Sequence, residues 1–412
     1  MRRVVGYRCT ICGKEFPFGP ELMTCPSCGE KGILDILYDY DEIRKTLTKE
    51  KLKNCTDNSM WRYRDLMPVA DDTDVSRFLR IGWTPLYESA SLRDELGIKK
   101  LYVKDDGLNP TASLKDRASG VAVAKAIELG YDTIACSSTG NAASSCAGSA
   151  ARMGLKAVIF VPERAPEGKV AQLMIFGAKV VSVHGDYKAT FDLSKAAIAK
   201  YGWYNRNAGI NPVMTEGKKT VALEIAEQLN FEPTDWVACS VGDGCTIGGV
   251  YNGFYDLYKL GLIDRIPKIL GVQSTGCCPF VDAANEGRDP VPTEENTIAD
   301  SIAVGVPRNP RKALRAVRDS KGAWIAVTDE QILDTMRVLG RHEGVFGEPA
   351  GVTATAGVRE AVARGIIKPN ETVTAISTGS GLKDVRNALK AAGKPKLCEP
   401  DLDALEASGI LG

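Results

Sequence analysis

From about residue 98 the chain alternates between two spacings of apolar positions. Short runs rich in β-branched residues, KLYVKDD, DTIACSS, KAVIFVP, AKVVSV, WVACSVG, KILGVQS and ETVTAIS, are separated by longer segments with apolar residues at helical spacing. KDRASGVAVAKAIELG, NAASSCAGSAARMG and EGKKTVALEIAEQL are examples of the second kind. Alternating strands and helices of this sort predict an α/β fold of open, twisted, mostly parallel sheets flanked by helices. Before residue 98 the pattern is less regular. ILDILYDYDEIRKTL predicts a strand running into a polar helix, and DNSMWRYRDLMPVADD predicts an irregular connector. There is no internal repeat, and the acidic segment after Pro400 is expected to be a loosely docked terminus.

Length and charge narrow the function classes. A chain of 412 residues, 44% hydrophobic, has room for two or three domains. Its 52 basic residues are matched by 52 acidic ones, so it lacks the electrostatic footprint of a nucleic-acid or anionic-membrane binder. Small polar metabolites are the expected partners. No run approaches the roughly 18 apolar residues of a membrane span. MRRVVGYRCT lacks the apolar core and cleavage site of a signal peptide, which makes the cytoplasm the expected location.

Of the 12 cysteines, four form two CxxC knuckles, CTIC and CPSC, separated by a segment containing Gly and Pro. Cys9, Cys12, Cys25 and Cys28 thus have zinc-ribbon spacing, in which each tight turn presents two thiolates to one ion. A closed shell of four thiolates has no open position for substrate, so the expected zinc is structural. With only two histidines, His184 and His342, a His-based acid/base pair or metal site is not expected.

Candidate chemistry lies in the loops that follow strands. In open α/β sheets, ligands collect at the carboxyl ends of strands, where helix N-termini expose backbone N–H groups. Ser137, Ser138, Thr139, Gly140 and Asn141 in SSTGNAAS follow one strand and precede a helix of small residues. Simple helix capping needs one such residue; five in a row suit a cradle for a substrate carboxylate. SVGDGCTIGG, after WVACS, carries glycines at 242, 244, 248 and 249 and offers amides to a single phosphate. It lacks a Walker lysine and fits the dinucleotide fingerprint poorly. STGSGLKD places Thr378 at a third strand end, and NPTASLKDRASG places Lys115 where a turn becomes a helix. A lone lysine in such a turn is ordinarily a solvated charge. Together with a phosphate seat and a carboxylate cradle it suggests pyridoxal phosphate, with Lys115 carrying the aldehyde as a Schiff base.

These motifs, with MWRYRDLMPV, GWTPL, TEGKKTVALEIAEQL and HEGVFGEPAG, resemble the threonine synthases almost end to end. That family lies within the fold type II pyridoxal-phosphate enzymes, alongside tryptophan synthase β and the serine/threonine dehydratases. The resemblance implies that Lys115 is the Schiff-base lysine and Asn141 the partner of the cofactor's phenolic oxygen. It further implies that Gly242, Asp243, Gly244, Cys245 and Thr246 bind the phosphate, that Thr378 faces the pyridine nitrogen, and that Asn207 joins the substrate ligands. The organisation it suggests is a zinc-ribbon-like module (1–35), a connector with the N-terminal part of the large domain (36–97), a large-domain segment carrying the lysine (98–125), a smaller inserted α/β domain (126–212) and a large cofactor-binding α/β domain (213–412). A homodimer is also implied. Glu348 is expected to open a helix beside the cofactor ring, with Pro349 at its first position.

The activity implied is conversion of O-phosphohomoserine to threonine and phosphate. Departures bear on that substrate. Ala142, Ala208 and Met214 stand where the family has a threonine, a serine and an arginine, and the last change removes the strongest type of phosphate contact. Lys218 stands for a glutamine and Arg308 adds charge, so compensation is conceivable; Leu114 replaces an aromatic residue. A dehydratase, or a β-replacement enzyme resembling cysteate synthase and acting on O-phosphoserine and sulfite, is the competing expectation. A catalytically retired zinc-bearing binding protein is the least favoured.

Overall fold

The computed structural model describes residues 3–19, 22–138, 140–163, 165, 167–185 and 187–410. The chain first forms a small antiparallel sheet from β1 (Val4–Cys9), β2 (Glu15–Pro17) and β3 (Leu34–Tyr38), in order β2-β1-β3. It then enters a second sheet with β4 (Leu86–Glu88) and β5 (Lys100–Asp105). It leaves to build a third from β6 (Thr133–Ser137), β7 (Lys156–Pro162), β8 (Lys179–Val183) and β9 (Tyr204–Asn205). Finally it returns to the second sheet with β10 (Trp236–Ser240), β11 (Lys268–Ser274), β12 (Ala323–Val327) and β13 (Thr372–Ser377).

The six-stranded sheet has the order β12-β11-β10-β13-β5-β4 and is parallel except at β4, while the four-stranded sheet, β8-β7-β6-β9, is wholly parallel. Parallel strands need long crossovers, and the amphipathic segments supply them as helices that bury both faces. From β10 the chain runs outward through β11 to β12 and then crosses back to insert β13 between β10 and β5, so the connections change direction there and the carboxyl ends of β5, β10 and β13 flank a crevice.

Two elements differ from the pattern reading. DNSMWRYRDLMPVADD is ordered as a 3₁₀ helix, Met60–Leu66, whose Met60, Trp61 and Tyr63 are buried against the core. The segment AWIAV forms β12, which the spacing alone did not mark because a five-residue, half-covered strand has little periodicity. The tail after Pro400 contains an exposed helix, Leu402–Ala407. No helix among the described residues is long and apolar enough to cross a membrane.

The small sheet is tied to the larger body by charge. The Asp35 carboxylate on β3 accepts from the Arg315 guanidinium at 2.6 and 3.1 Å, and Lys312 Nζ donates to the Leu34 carbonyl at 2.8 Å. Glu30, beyond the second knuckle, pairs with Lys195 on a helix of the third sheet's layer, Tyr187–Tyr201. The ribbon therefore touches both α/β layers.

Candidate active site

Lys115 begins the helix Lys115–Glu128, and its two neighbours hold that helix start in place. The Asp116 carboxylate, fully buried, accepts from the Thr111 N–H at 2.7 Å and the Thr111 hydroxyl at 2.5 Å. The Arg117 guanidinium, also fully buried, donates to both oxygens of Asp106 at 2.7 Å and to Glu224 at 2.5 and 2.8 Å. Two of the three charges in Lys115-Asp116-Arg117 are thus internal anchors, not solvated ones. The helix packs tightly on Val213–Lys218: a Cβ on Gly217 would stand 2.2 Å from the Arg117 carbonyl oxygen. Just upstream, Ala112 has a left-handed backbone (φ 65°), which costs an L residue about 1–2 kcal/mol. It is held there by the Asn109 carbonyl and by Ser380 N–H donating to its own carbonyl at 3.0 Å.

Ser380 follows the loop after β13, and the same loop closes on the lysine from the other side. Leu114 N–H donates to the Thr378 carbonyl at 2.9 Å, and Ser113 bridges Gly379. The Ser377 hydroxyl at the end of β13 is enclosed and has no partner among the described residues. Lys115 itself is partly exposed, and burial, then the charges of Lys218 and Arg206, lower its pKa to about 8. A fair fraction of it is therefore the free amine near neutral pH, the form that attacks a carbonyl.

Across the crevice, the helix Asn141–Met153 begins without a side-chain cap. Asn141 Nδ2 donates to Glu348 Oε1 at 2.6 Å and lies 3.5 Å from the Ser301 hydroxyl. Glu348 stands at the N-cap position of Pro349–Ala363 without a side-chain capping bond, with Pro349 at the first turn. Its carboxyl is buried, which pushes the pKa up to about 7 against the opposing effects of the Asn141 bond and of Lys169, Lys115 and Lys383. Gly379 closes this corner: a Cβ there would lie 2.4 Å from Glu348 Oε1 and 3.3 Å from Asn141 Nδ2. Ser137 N–H donates to Asn207 Oδ1 at 3.2 Å, and Asn207 Nδ2 is enclosed without an acceptor among the described residues. Gly140 N–H donates to the Ser138 hydroxyl at 3.2 Å. Thr139 lies outside the described residues.

The glycine loop after β10 leads into Cys245–Lys259 through Gly244, whose φ of 88° suits glycine alone at little cost. Among the described residues the N–H groups of Gly242, Asp243, Gly244, Cys245 and Thr246 donate to no acceptor. Five free amides at a helix start fit one phosphate. The Asp243 carboxylate is engaged elsewhere, accepting from Arg308 N–H at 2.8 Å and Asn309 Nδ2 at 2.9 Å, so this residue can offer only its amide. Cys245 Sγ lies 3.5 Å from the Thr215 hydroxyl.

The departures also have places. Met214 is fully buried in the hydrophobic core, while Ala142 and Ala208 are half-buried. Arg308 lays its guanidinium 3.7 Å above the Phe191 ring. Residues given no role by the sequence complete the cleft: Ser301 and Arg206, and, within STGSGLKD, Ser377 and Lys383. Ser377 ends the run ETVTAIS and could have been found there. Arg206 has no local signature, because its neighbours Ser119 and Ser145 come from distant helices.

The thiols of Cys9, Cys12, Cys25 and Cys28 lie within 4.8 Å of one another, with Cys12 Sγ to Cys25 Sγ at 3.8 Å. Four sulfurs about 2.3 Å from a central ion stand about 3.8 Å apart at tetrahedral angles, so the cluster fits zinc.

Residues 77–379 match the family model described as pyridoxal-phosphate dependent enzyme. The threonine synthase of Methanocaldococcus jannaschii is 40% identical over 402 residues, covering 97% of this chain and 98% of the relative. The threonine synthase of Methanosarcina acetivorans is likewise 40% identical, covering 97% of each. Among solved structures, processed threonine deaminase isoform 2 from Solanum lycopersicum superposes with a TM-score of 0.64 at 22% identity, over 75% of this chain and 83% of that one. Serine racemase from Dictyostelium discoideum gives 0.62 at 23%, over 72% and 92%.

Proposed function

The chain belongs to the pyridoxal-phosphate-dependent enzymes of fold type II and, within them, to the threonine synthases, and from that footing we propose that it converts O-phosphohomoserine to threonine and phosphate by elimination and β-addition of water. The observation that carries this reading is the similarity to threonine synthases along 97% of the chain, ribbon included. The cleft residues suit the cofactor. Lys115 would carry its aldehyde, the amides of Gly242 to Thr246 its phosphate, Asn141 its phenolic oxygen, and Thr378, with Ser377 beside it, its ring nitrogen.

Bound pyridoxal phosphate supplies an electron sink for negative charge developing on substrate carbons. The chain's own groups then bind and move protons. Lys115, with a pKa of about 8, can take a proton and return it near neutral pH. Ser137, Ser138, Thr139 and Gly140 would orient the substrate carboxylate at the start of a helix, and Asn207 would donate its free Nδ2 hydrogens. A neutral hydroxyl at Thr378, unlike an acidic residue, would keep the ring less electron-withdrawing, which would suit chemistry at the β and γ carbons over transamination. Glu348, poised near pH 7, holds Asn141 in place.

A second reading has its own support. Ala142 and Ala208 bring no polar side-chain atom to the half-open positions they occupy, and Met214 is buried in the core. A smaller substrate or another leaving group would suit such a cleft: O-phosphoserine with sulfite, or serine and threonine undergoing elimination. We expect purified holoenzyme to release phosphate and form threonine from O-phosphohomoserine. No threonine at saturating substrate, together with cysteate from O-phosphoserine and sulfite or ammonia from serine, would replace the first reading with the second.

The four ribbon thiolates would hold one structural zinc, and a homodimer in the cytoplasm completes the proposal. Metal analysis is expected to give about one zinc per chain. Stripping it with a chelator is expected to lower the unfolding temperature, because ligand binding to the native state alone stabilises by mass action; an unchanged melting curve after complete removal would refute the structural role.

A further inference from the structure

Burying an ammonium or guanidinium without a counter-charge is costly, and most of this chain avoids it. Among the described residues five lysines are buried. Lys104 pairs with Glu224 at 2.8 Å, Lys125 with Glu128 at 2.6 Å, Lys219 with Glu216 at 2.5 Å and Asp256 at 2.7 Å, and Lys312 with Asp35 at 3.4 Å. Lys218, only 2% exposed, has neither a carboxylate nor a hydrogen-bond acceptor among the described residues. Its ammonium is not sealed in, so an acceptor arriving from solvent can reach it. The buried arginines repeat the pattern. Arg62 pairs with Glu227 and Arg117 with Asp106 and Glu224, whereas Arg206 finds only the hydroxyls of Ser119, at 2.9 and 3.1 Å, and Ser145, at 3.4 Å.

Both exceptions flank Lys115, whose amine their charges help to keep unprotonated. Lys218 packs on the helix that the glycine loop opens: its Cβ lies 3.1 Å from where a Cβ on Gly249 would stand, in the second turn of Cys245–Lys259. Two positive charges without a carboxylate partner among the described residues, in the same cleft as amides without acceptors, call for an anion of nearly double charge. A phosphate monoester carries about −1.5 to −2 at pH 7.

We propose that Lys218, backed by Arg206, is the cationic seat of a phosphate-type oxyanion at the floor of this cleft. The proposal rests on the reading of the cleft as a pyridoxal-phosphate site and adds a ligand that the cofactor motifs do not include. The cofactor's phosphate and a substrate's phosphoryl group share the required chemistry. Lys218→Met in the full-length protein removes the charge and keeps most of the volume. In phosphate-free buffer this variant is expected to melt no lower than the parent, since it deletes an uncompensated buried charge.

Affinity then separates the two sources. If the seat serves the cofactor, the Kd for pyridoxal phosphate, read by absorbance titration of apoprotein, rises about tenfold or more while that for pyridoxal stays put. If it serves the substrate, the cofactor's Kd is unchanged and the Kd of inorganic phosphate for holoenzyme rises about tenfold or more. Lys218→Arg should restore the affected constant in part. Both constants within twofold of the parent's would overturn the proposal, as would a Lys218→Met variant that unfolds while Lys218→Gln binds both ligands normally. The visible Schiff-base band in the parent tests the cofactor reading separately, so loss of one conclusion is distinguishable from loss of the other.

Discussion

Lys115→Ala is expected to eliminate the visible absorbance band of the holoenzyme and to lower kcat/KM by at least about a thousandfold, a loss typical of removing a nucleophile and proton carrier together. Its unfolding midpoint should stay close to the parent's. The reason lies in the division of labour within Lys115-Asp116-Arg117: the two buried charges make the structural bonds, and Lys115 stands partly open to the cleft. A Lys115→Ala protein that keeps the band would show that the cofactor is held by another amine. The pH dependence gives a sharper check. Only the neutral amine attacks an aldehyde, and this amine has a pKa lowered to about 8 by burial, Lys218 and Arg206. The rate of cofactor capture by apoprotein should therefore rise with pH up to about 8 and level off above it. An ordinary lysine would keep gaining up to about pH 10.4. In Lys218→Met one of the depressing charges is gone, so the inflection should move upward.

The regular part of the fold was legible because it is built from local periodicity. All seven apolar runs after residue 98 are strands, and three of them, β5, β10 and β13, lead into the loops that carry Lys115, the glycine-rich segment and Thr378. The ribbon was legible for a related reason, since the chemistry of CxxC is written within four residues. What could not be read was pairing over distance. Asn141 and Glu348 are 207 positions apart, and nothing near either marks their hydrogen bond. Arg206 and Lys218 look like ordinary surface charges in WYNRNAG and EGKKT. Only the fold shows that, among the described residues, Lys219 has two carboxylates and its neighbour none. The same limit explains the misleading look of the charged helix start at Lys115, since Arg117 is internal only because Asp106 and Glu224 come to meet it.

That meeting point is where stability should be most sensitive. Arg117→Ala is expected to cost about 3–5 kcal/mol, the range for breaking a buried ion pair from one side. The guanidinium makes two paired contacts, with Asp106 and with Glu224, plus single bonds to Thr220 at 3.0 Å and Thr84 at 3.3 Å. Its removal leaves Asp106 with the Thr84 hydroxyl, at 2.7 Å, as its one remaining side-chain donor among the described residues, and leaves Glu224 with Lys104 at 2.8 Å and the Thr84 N–H at 3.3 Å. Denaturant unfolding measures the loss, and a change below about 1 kcal/mol would mean that water or a rearranged Lys104 takes over. Acid provides an independent signature. Burial alone would raise the Glu224 pKa, but Arg117 and Lys104 outweigh it and hold the group at about 2. A carboxyl depressed below its unfolded value of about 4.3 stabilises the fold above that pH and loses the contribution as pH falls towards 2. The parent should therefore weaken steeply across this window. In Arg117→Ala the slope should flatten, because the carboxyl no longer titrates so far below its unfolded value. Since the same guanidinium pins the first turn that carries Lys115, the variant should also lose activity, which sets it apart from Lys115→Ala, where turnover falls and the fold stands.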